Sequence, residues 1–245
     1  MFQFFVDDTA FDNTFRIMGD DAHHISRVLR LKPHEKIRVS TNSGESFICD
    51  ITDVTDDVVL AEIETAAQDT ELKSNIRLFQ AIPKGDRFDT VVEKSVELGV
   101  HEIIPVSMKY CVARWDSKKA ASKVKRYTAV AHAAAKQSKR SILPGVHAPM
   151  SLKEAIEYAG SLDSLIIVPY ENERGMEGNK EAFSSMDKYS QISIFIGPEG
   201  GFDEEEIKLL KEAGAHIITL GRRILRTDTA AIAAMTLVMM ELEKD

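Results

Sequence analysis

The sequence contains little cysteine and no long apolar run. Only two of its 245 residues are cysteines, Cys49 and Cys111, and they lie too far apart to form a metal-binding or redox motif. This scarcity argues for a reducing compartment. The N-terminal residues lack the basic start of a secretory signal, and no apolar run approaches membrane-spanning length. We therefore expect a cytoplasmic protein without a metal site and without membrane association.

The chain also lacks a net positive charge: it has 31 basic and 39 acidic residues, which gives a formal net charge of −8. The charge is unevenly distributed along the chain. Residues 1–72 contain 6 basic and 15 acidic side chains, whereas residues 73–145 contain 15 basic and 6 acidic ones. A basic middle third of this kind can hold the backbone of a nucleic acid. The alternative interpretation of the same residues is a solvated helix face.

Short strands are predicted in the N-terminal part, where apolar and polar residues alternate. A helix-like insert at 19–31 follows the first strand, and an acidic, polar connector at 65–74 follows the last. The pattern predicts a small β-barrel or sandwich over residues 1–72. The predicted strands cover 15–18, 36–40, 46–51 and 58–63.

Strands alternate with helices from residue 76 onward, which implies a parallel sheet covered by helices on both faces. We therefore predict one α/β domain over residues 73–245. Ser151 with Glu154, and Asp203 with Glu206, have the spacing of capping boxes at helix starts. The long polar stretch 172–190 is assigned no element, and we expect part of it to be mobile. Strands are predicted at 76–82, 102–107, 164–169, 192–196 and 216–220, and helices at 86–98, 116–139, 151–158, 203–213 and 228–243.

A glycine-rich turn follows the strand at 192–196 and reads Ile196-Gly197-Pro198-Glu199-Gly200-Gly201. Ligands bind at the carboxyl ends of strands in open α/β sheets, and glycines let a backbone approach a ligand closely. The turn matches neither the dinucleotide fingerprint nor the P-loop, so a nicotinamide cofactor and a nucleoside triphosphate are not indicated. A tight strand-to-helix connection without a ligand is the alternative.

A second segment that could form a functional site also joins a strand to a helix. It reads Leu220-Gly221-Arg222-Arg223-Ile224-Leu225-Arg226. Three arginines beside two aliphatic residues are difficult to explain as packing. The aliphatic pair could hold an adenine ring while an arginine faces an anion or RNA. The alternative is a core helix at the C-terminus, capped by Thr227 or Asp228.

Six basic residues in three pairs are candidates for RNA contact. Lys84 and Arg87 flank a helix start, where backbone amides also favour phosphate. The three-residue spacing of Arg27 and Arg30 places them on one helical face, as a phosphate clamp requires. The third pair, Lys139 and Arg140, closes a long basic helix.

Five motifs in this order resemble the RsmE family of ribosomal RNA methyltransferases. They are His-His-x-x-x-Val-Leu-Arg, Lys-Gly-Asp-Arg, Gln-Ser-x-Arg, Ile-Gly-Pro-Glu-Gly-Gly-Phe and Leu-Gly-x-Arg-Ile-Leu-Arg-Thr-Asp-Thr-Ala. The resemblance covers essentially the whole chain. It implies a PUA-like β-barrel followed by a SPOUT-type, trefoil-knotted α/β domain that dimerises. It also implies methylation of N3 of a uridine in small-subunit (16S) ribosomal RNA, as naked RNA or in the assembled subunit.

The resemblance further implies which residues form the site for S-adenosylmethionine, the methyl donor. Arg226 is the first catalytic candidate, because an arginine near the uracil oxygens would stabilise negative charge. Glu199 is the second, as a general base or an orienting group. The implied donor-binding residues are Ile196, Gly197, Pro198, Gly200, Gly201, Leu220, Gly221, Ile224, Leu225 and Thr229.

Two other functions are compatible with the residues alone. The chain could be a ribosomal RNA-binding assembly module that transfers no methyl group. It could also be a small-molecule enzyme whose glycine turn binds a phosphate or a nucleotide, with the basic segment incidental.

Overall fold

The structure is a computed structural model that describes residues 1–7 and 10–244. The chain forms two compact units: the first comprises Met1–Glu71 and Ala135–Leu143, and the second comprises Leu72–Ala134 and Pro144–Asp245. No helix in the described part of the chain is long and apolar enough to cross a membrane. Within the same residues, no three or more histidine, cysteine or acidic side chains are grouped so that they could hold a metal ion.

One five-stranded sheet forms the first unit. Its strands are β1 (Gln3–Val6), β2 (Thr14–Met18), β3 (Lys36–Thr41), β4 (Ser46–Val54) and β5 (Val58–Ala66). They lie in the order β1-β3-β4-β5-β2, with β1 parallel to β3 and the other pairs antiparallel. Alternate side chains enter the core, as Phe15 and Ile17 do in β2. The edge strands β1 and β2 approach each other, so the predicted small β-fold is confirmed as a curled sheet.

The insert between β2 and β3 is an irregular helix. It begins as α1 (Asp20–His23), continues as a π-helical segment (His24–Leu29) and ends at Arg30, whose φ of 54° is left-handed. The fully buried Ile25 anchors it in the core of the first unit. The expectation that Arg27 and Arg30 share one face of an α-helix is wrong, because Arg30 lies beyond the last helical residue.

A short segment from the middle of the chain completes the first unit. Arg140 Nη2 pairs with Glu71 Oε2 at 2.6 Å, and the Ser141 backbone N–H donates to the other oxygen of Glu71 at 2.6 Å. The side chain of Gln3, in β1, donates to the Arg140 carbonyl oxygen at 2.6 Å. These contacts bury polar groups that satisfy one another, and they fix residues 140–141 against β1 and the end of the connector.

The second unit contains a parallel sheet. Its strands are β6 (Asn75–Ala81), β7 (Val100–Ser107), β8 (Gly145–Val146), β9 (Met150–Ser151), β10 (Leu165–Pro169), β11 (Gln191–Ile196) and β12 (His216–Ile218). The order is β12-β10-β11-β6-β7-β8, with β9 also paired to β7, and the pairings are parallel. Every residue of β10 is buried, as expected of a strand covered on both faces.

Six helices of the chain flank this sheet or follow its strands. They are α2 (Arg87–Glu97), α3 (Ser117–Ser138), α4 (Leu152–Ser161), α5 (Glu177–Ser185), α6 (Glu204–Glu212) and α7 (Thr227–Leu242). Helices α2, α4, α5 and α7 contact strands of the sheet. The predicted α/β fold with a parallel sheet is confirmed. The trefoil knot stays a prediction of the family resemblance.

Both predicted capping boxes are confirmed, at Ser151 with Glu154 and at Asp203 with Glu206. The sequence did not predict β1, β8, β9 or α5. The first three are only two to four residues long, which is too short for a periodic signal. Helix α5 buries only Asn179 and Ala182, so it lacks the apolar stripe that identifies most surface helices.

Candidate active site

Three loops of the second unit meet at one edge of the parallel sheet. Strands β12, β10 and β11 are neighbours and run in the same direction, so their carboxyl ends lie side by side. The loops that follow them line a cavity of about 540 Å³. We call residues 197–202, after β11, the glycine turn, and residues 220–226, after β12, the arginine loop. The third loop, after β10, contributes Tyr170 and Glu171.

The glycine turn is closely packed on both sides. A Cβ atom on Gly197 would lie 2.9 Å from the Phe202 ring, and one on Gly201 would lie 2.2 Å from Glu171 Oε1. Gly201 also has a φ of +75°, a conformation that other residues rarely adopt. These two positions therefore need glycine, and their bare backbone forms part of the cavity wall.

The helix start after the glycine turn is anchored to the loop after β7. Asp203 caps α6, and its carboxylate also accepts hydrogen bonds from Lys109 Nζ at 2.7 Å and Tyr110 Oη at 2.8 Å. These hydrogen bonds, from Lys109 first and Tyr110 second, hold the pKa of the Asp203 carboxyl below its usual value. Asp203 is therefore a carboxylate at neutral pH and fixes the end of the turn.

The first residue of α7 joins two walls of the cavity. Thr227 Oγ1 donates to the Gly197 carbonyl oxygen at 2.7 Å and accepts from Gln80 Nε2 at 2.8 Å. Gln80 is completely buried in β6, so one threonine hydroxyl connects the central strand, the glycine turn and the end of the arginine loop. The hydroxyl thus sets the distance between the two segments.

Glu199 lies in the cavity wall, and one of its two carboxylate oxygens accepts hydrogen bonds from the protein. Its Oε1 accepts from the Lys84 backbone N–H at 3.0 Å and from Arg87 Nη1 at 2.6 Å. Within the described residues, Oε2 of Glu199 has no hydrogen-bond partner. The carboxylate is thus oriented by Arg87 and Lys84 and still has a free acceptor.

The arginine loop is much more exposed than the glycine turn. Ile224 is 88% exposed, and Arg222, Arg223 and Arg226 are exposed as well. Arg226 is the N-cap residue of α7 and lines the cavity. In the described part of the chain, its guanidinium forms no hydrogen bond or ion pair. A cationic group without a protein partner therefore lies at the positive end of a helix.

The structure brings most of the predicted site residues together. Both catalytic candidates, Arg226 and Glu199, line the cavity, and so does Arg87 from the RNA-contact set. Thr229 is exposed and does not line the cavity; Thr227 and Ala230, on either side of it, do. The predicted donor-binding residues that line the cavity are Ile196, Gly197, Pro198, Gly200, Gly201, Leu220, Gly221, Ile224 and Leu225.

Sequence reasoning missed the loop after β10 and the start of α7. Pro169, Tyr170, Glu171, Thr227 and Ala230 all line the cavity. Thr227 and Ala230 lie within the last of the five motifs, but they are not among the predicted donor-binding residues. Nothing in the local sequence of Pro169, Tyr170 and Glu171 marks them as a site. Their position at the end of a strand next to β11 is the signal that could have found the first three, but it requires the order of the strands.

The remaining RNA-contact candidates lie in the first unit or on the surface of the second. Arg27 is exposed and pairs with Asp56, and Arg30 and Lys84 are exposed. Lys139 is half-buried, and burial lowers the pKa of its amine. Arg140 is only 3% exposed and is paired with Glu71, so its guanidinium is not a surface group.

Comparisons with known proteins agree over nearly the full length of the chain. A family described as an RNA methyltransferase domain matches residues 70–239, and an RNA methyltransferase PUA domain matches residues 17–64. The chain is similar to the ribosomal RNA small subunit methyltransferase E of Bacillus subtilis, with 34% identity over 94% of this chain and 91% of that protein. The enzyme of the same name from Mesomycoplasma hyopneumoniae is 32% identical over 96% and 98% of the two chains.

Solved structures resemble the whole chain in the same way. The ribosomal RNA small subunit methyltransferase E from Neisseria gonorrhoeae, bound to S-adenosyl methionine, superimposes with a TM-score of 0.84 at 31% identity and covers 98% of this chain and 97% of its own. A methyltransferase from Legionella pneumophila, in complex with the same cofactor, gives a TM-score of 0.78 at 26% identity, with coverage of 98% and 97%.

Proposed function

This chain belongs to the ribosomal RNA small subunit methyltransferase E family, and we propose that it transfers a methyl group from S-adenosylmethionine to N3 of a uridine in small-subunit ribosomal RNA. The relatives from Bacillus subtilis and Mesomycoplasma hyopneumoniae are named as methyltransferases of small-subunit ribosomal RNA. The observation that supports the proposal most directly is the cavity: its glycine turn and arginine loop bring an aliphatic wall, a free arginine and an oriented carboxylate into one site.

The residues of the cavity fit S-adenosylmethionine. A volume of about 540 Å³ lies within the range of about 300–1,000 Å³ that is usual for small-molecule sites. Leu220 and Leu225 offer apolar surface for an adenine ring, and the bare backbone of Gly197 and Gly201 allows close approach. When bound, the donor supplies an electrophilic methyl group on its sulfonium.

Arg226 is proposed to stabilise the uracil anion. Loss of the N3 proton leaves negative charge on N3 and on the two uracil oxygens until N3 takes up the methyl group. The Arg226 guanidinium has no partner in the described chain, and it lies in the cavity wall at the N-terminus of α7. A cation at such a position lowers the barrier by stabilising the negative charge that develops beside it.

Glu199 is proposed to orient the uracil and to accept the N3 proton. Arg87 and the Lys84 N–H hold its Oε1, which leaves Oε2 to accept a hydrogen bond from the N3–H group. A carboxylate acceptor also favours uracil over cytosine, whose N3 carries no proton. Geometry supports this role, because a general base must lie within hydrogen-bond reach of the proton that it takes.

RNA binding is assigned to basic residues of both units. We propose that the first unit acts as a PUA-like RNA-binding domain through Arg27, Arg30 and Lys139, and that Lys84 and Arg87 hold phosphates near the cavity of the second, methyltransferase unit. The buried Arg140 is left out of this set. Ribosomal RNA, naked or in the small subunit, is the proposed partner, and the cytoplasm the proposed location.

A second copy of the chain is proposed to cover α7. The helix is apolar on all sides, which is typical of a buried helix, yet Leu237 is 41% and Met240 is 59% exposed. We expect Leu237→Lys combined with Met240→Lys to convert a homodimer into a monomer in light scattering. Leu209→Lys, at an apolar residue of α6 that is also exposed, is the matched control. A wild-type monomer would contradict the proposal.

The test of the activity is transfer of labelled methyl from S-adenosylmethionine to small ribosomal subunits that lack the modification. We expect N3-methyluridine after digestion of the RNA to nucleosides. Subunits that already carry the modification are the control and should accept no label. A folded protein that binds the subunits but transfers nothing would favour the assembly-module alternative.

A further inference from the structure

We propose that Asn179 is a positioning residue, which holds the arginine loop in the conformation that binds the methyl donor. The proposal rests on the proposed function, because it concerns the same cavity. Asn179 lies in α5 and is only 3% exposed. It does not line the cavity itself, and it acts through the backbone of Thr219, the residue directly before the loop.

The Asn179 side chain pairs with Thr219 as a neighbouring strand would. Its Nδ2 donates to the Thr219 carbonyl oxygen at 2.9 Å, and its Oδ1 accepts from the Thr219 N–H at 3.0 Å. Both polar groups of one peptide residue are thereby satisfied just after β12 has ended. An amide is the side chain that can make both bonds, because it carries a donor and an acceptor.

The position of α5 depends on the glycine that precedes Asn179. A Cβ atom on Gly178 would lie 2.1 Å from the Ile217 carbonyl oxygen, which is a backbone atom of β12. Any larger residue would therefore push the helix away from the strand. Gly178 allows α5 to lie close to β12, and this short distance lets the Asn179 side chain hydrogen-bond to Thr219.

The restraint continues from Thr219 into the arginine loop. The Thr219 hydroxyl accepts from the Gly221 N–H at 3.2 Å. Leu220 and Gly221 are the first residues of the loop to line the cavity. At the other end of the loop, the Arg226 carbonyl oxygen accepts from the Ala230 N–H at 2.8 Å. No described hydrogen bond ties residues 222–225, between these two ends, to the rest of the protein. The orientation of its first residues is thus set by Asn179 through a chain of three side-chain to backbone bonds.

The polar helix α5 therefore does more than cover the sheet: it holds Asn179 against Thr219. The helix is mostly polar, and apart from Asn179 it buries only Ala182. A helix that served only to cover the sheet would bury an apolar stripe. A buried amide with both its groups paired instead fixes one local conformation, since breaking the pair leaves unsatisfied backbone groups.

The test measures donor affinity and loop order in Asn179→Ala and Asn179→Leu. We expect the Kd for S-adenosylmethionine in calorimetry to rise about tenfold, the effect of losing one or two hydrogen bonds. At saturating donor, kcat should stay within about twofold of the wild type, because the change affects binding and not chemistry. Hydrogen exchange of the 220–225 amides in the ligand-free protein should accelerate about tenfold.

Tyr158→Phe is the matched control for a general loss of stability. It removes a 2.7 Å hydrogen bond to Glu102 in the same unit, and neither residue lines the cavity. It should lower the thermal midpoint without changing donor affinity or loop exchange. If the Asn179 variants do not fold, Thr219→Val removes only the last link and should raise the Kd about threefold.

The outcomes separate this proposal from the proposed function. Unchanged affinity and exchange in the Asn179 variants, or equal changes in Tyr158→Phe, would overturn the positioning role. A wild-type protein that does not bind S-adenosylmethionine would overturn the donor site instead. The exchange measurement needs no ligand, so it would still decide whether Asn179 orders the loop.

Discussion

The glycine turn and the arginine loop line the same cavity, but the protein holds them very differently. The glycine turn is tied at Gly197 by Thr227, at Glu199 by Arg87, and at its end by the Asp203 cap. Among the described residues, hydrogen bonds restrain the arginine loop near its two ends and not between them, where Ile224 is 88% exposed. One wall of the site is thus preformed, while the other presents unpaired side chains.

This difference indicates that the two segments have different functions, one in binding the donor and the other in contacting RNA. A preformed wall costs no conformational entropy when a ligand binds, so the glycine turn is suited to hold the donor. Side chains without protein partners, such as Arg226, are suited to contacts that form only when RNA arrives. Substitutions in the two segments should therefore have different consequences for donor binding and for methyl transfer.

Gly197→Asp should abolish donor binding. The new side chain would clash with the Phe202 ring, since a Cβ atom alone lies 2.9 Å from it, and would place a carboxylate in the cavity. We expect the Kd for S-adenosylmethionine in calorimetry to rise by more than about a hundredfold, with RNA binding in gel shifts retained. Gly160→Asp, at a glycine with nothing within 4 Å of its added Cβ, is the control. Equal loss of RNA binding would contradict the assignment of the turn.

Arg226→Ala should lower the rate of methyl transfer and spare donor affinity. Removal of a preorganised donor to a developing anion costs about 10²–10³ in kcat, so we expect a loss of that size in single-turnover assays. Arg222→Ala, at an exposed arginine of the same loop that does not line the cavity, should keep the wild-type rate. An unchanged rate in Arg226→Ala would remove this residue from the mechanism.

Thr227→Val should weaken both segments together, because the hydroxyl joins them. Its loss leaves Gln80 Nε2 and the Gly197 carbonyl oxygen without this partner, at a cost of about 1–3 kcal/mol. We expect donor affinity to fall about tenfold and the thermal midpoint to fall by several degrees. Thr236→Val is the control, since that hydroxyl bonds only to Ile232 of the same helix. A normal affinity would mean that the two segments are set independently.

Low pH should destabilise the second unit by protonating Glu102, which belongs to neither the glycine turn nor the arginine loop. Burial raises the pKa of this carboxyl, but hydrogen bonds from His147, Tyr158 and Arg77 outweigh burial and lower it to about 2. Because the folded pKa is depressed, the stabilisation is present above the usual value of 4.5 and is lost as the pH falls from there toward about 2.

Glu102→Gln should therefore lose less stability than the wild type between pH 5 and pH 3, by about 3 °C in thermal midpoint. Its donor affinity at pH 7 should equal that of the wild type, since Glu102 does not line the cavity. Identical acid profiles of the two proteins would show that this network does not control acid stability.

The glycine turn could be predicted from the sequence because glycines, a proline and a capping box follow an apolar strand without interruption. The arginine loop has a similarly local signal. The loop after β10 has none: Tyr170 and Glu171 reach the cavity only because β10 lies between β11 and β12. Strand order depends on contacts between distant parts of the chain, and no local pattern records it.

Thr229, a predicted donor-binding residue, lies outside the cavity because of the phase of the helix. Residues three apart share a face at a helix start, so Thr227 and Ala230 both turn toward the cavity while Thr229 is exposed. The burial of Arg140 was also beyond the sequence. Its partner, Glu71, lies 69 positions away, and an arginine in a basic run gives no sign that it is buried.

The assignment of residues 135–143 to the first unit has a consequence for biosynthesis. Glu71 and Gln3 are made early, but the groups that they bind, at Arg140 and Ser141, are translated only after residues 72–134 of the second unit. At about 5–20 residues per second, the 69 positions between Glu71 and Arg140 take on the order of 3–14 s. During that interval, the Glu71 carboxylate lacks its partners at Arg140 and Ser141, and the Gln3 amide donates to Ser40 Oγ but not yet to the Arg140 carbonyl oxygen. A fragment ending at Glu71 would remain in that condition permanently.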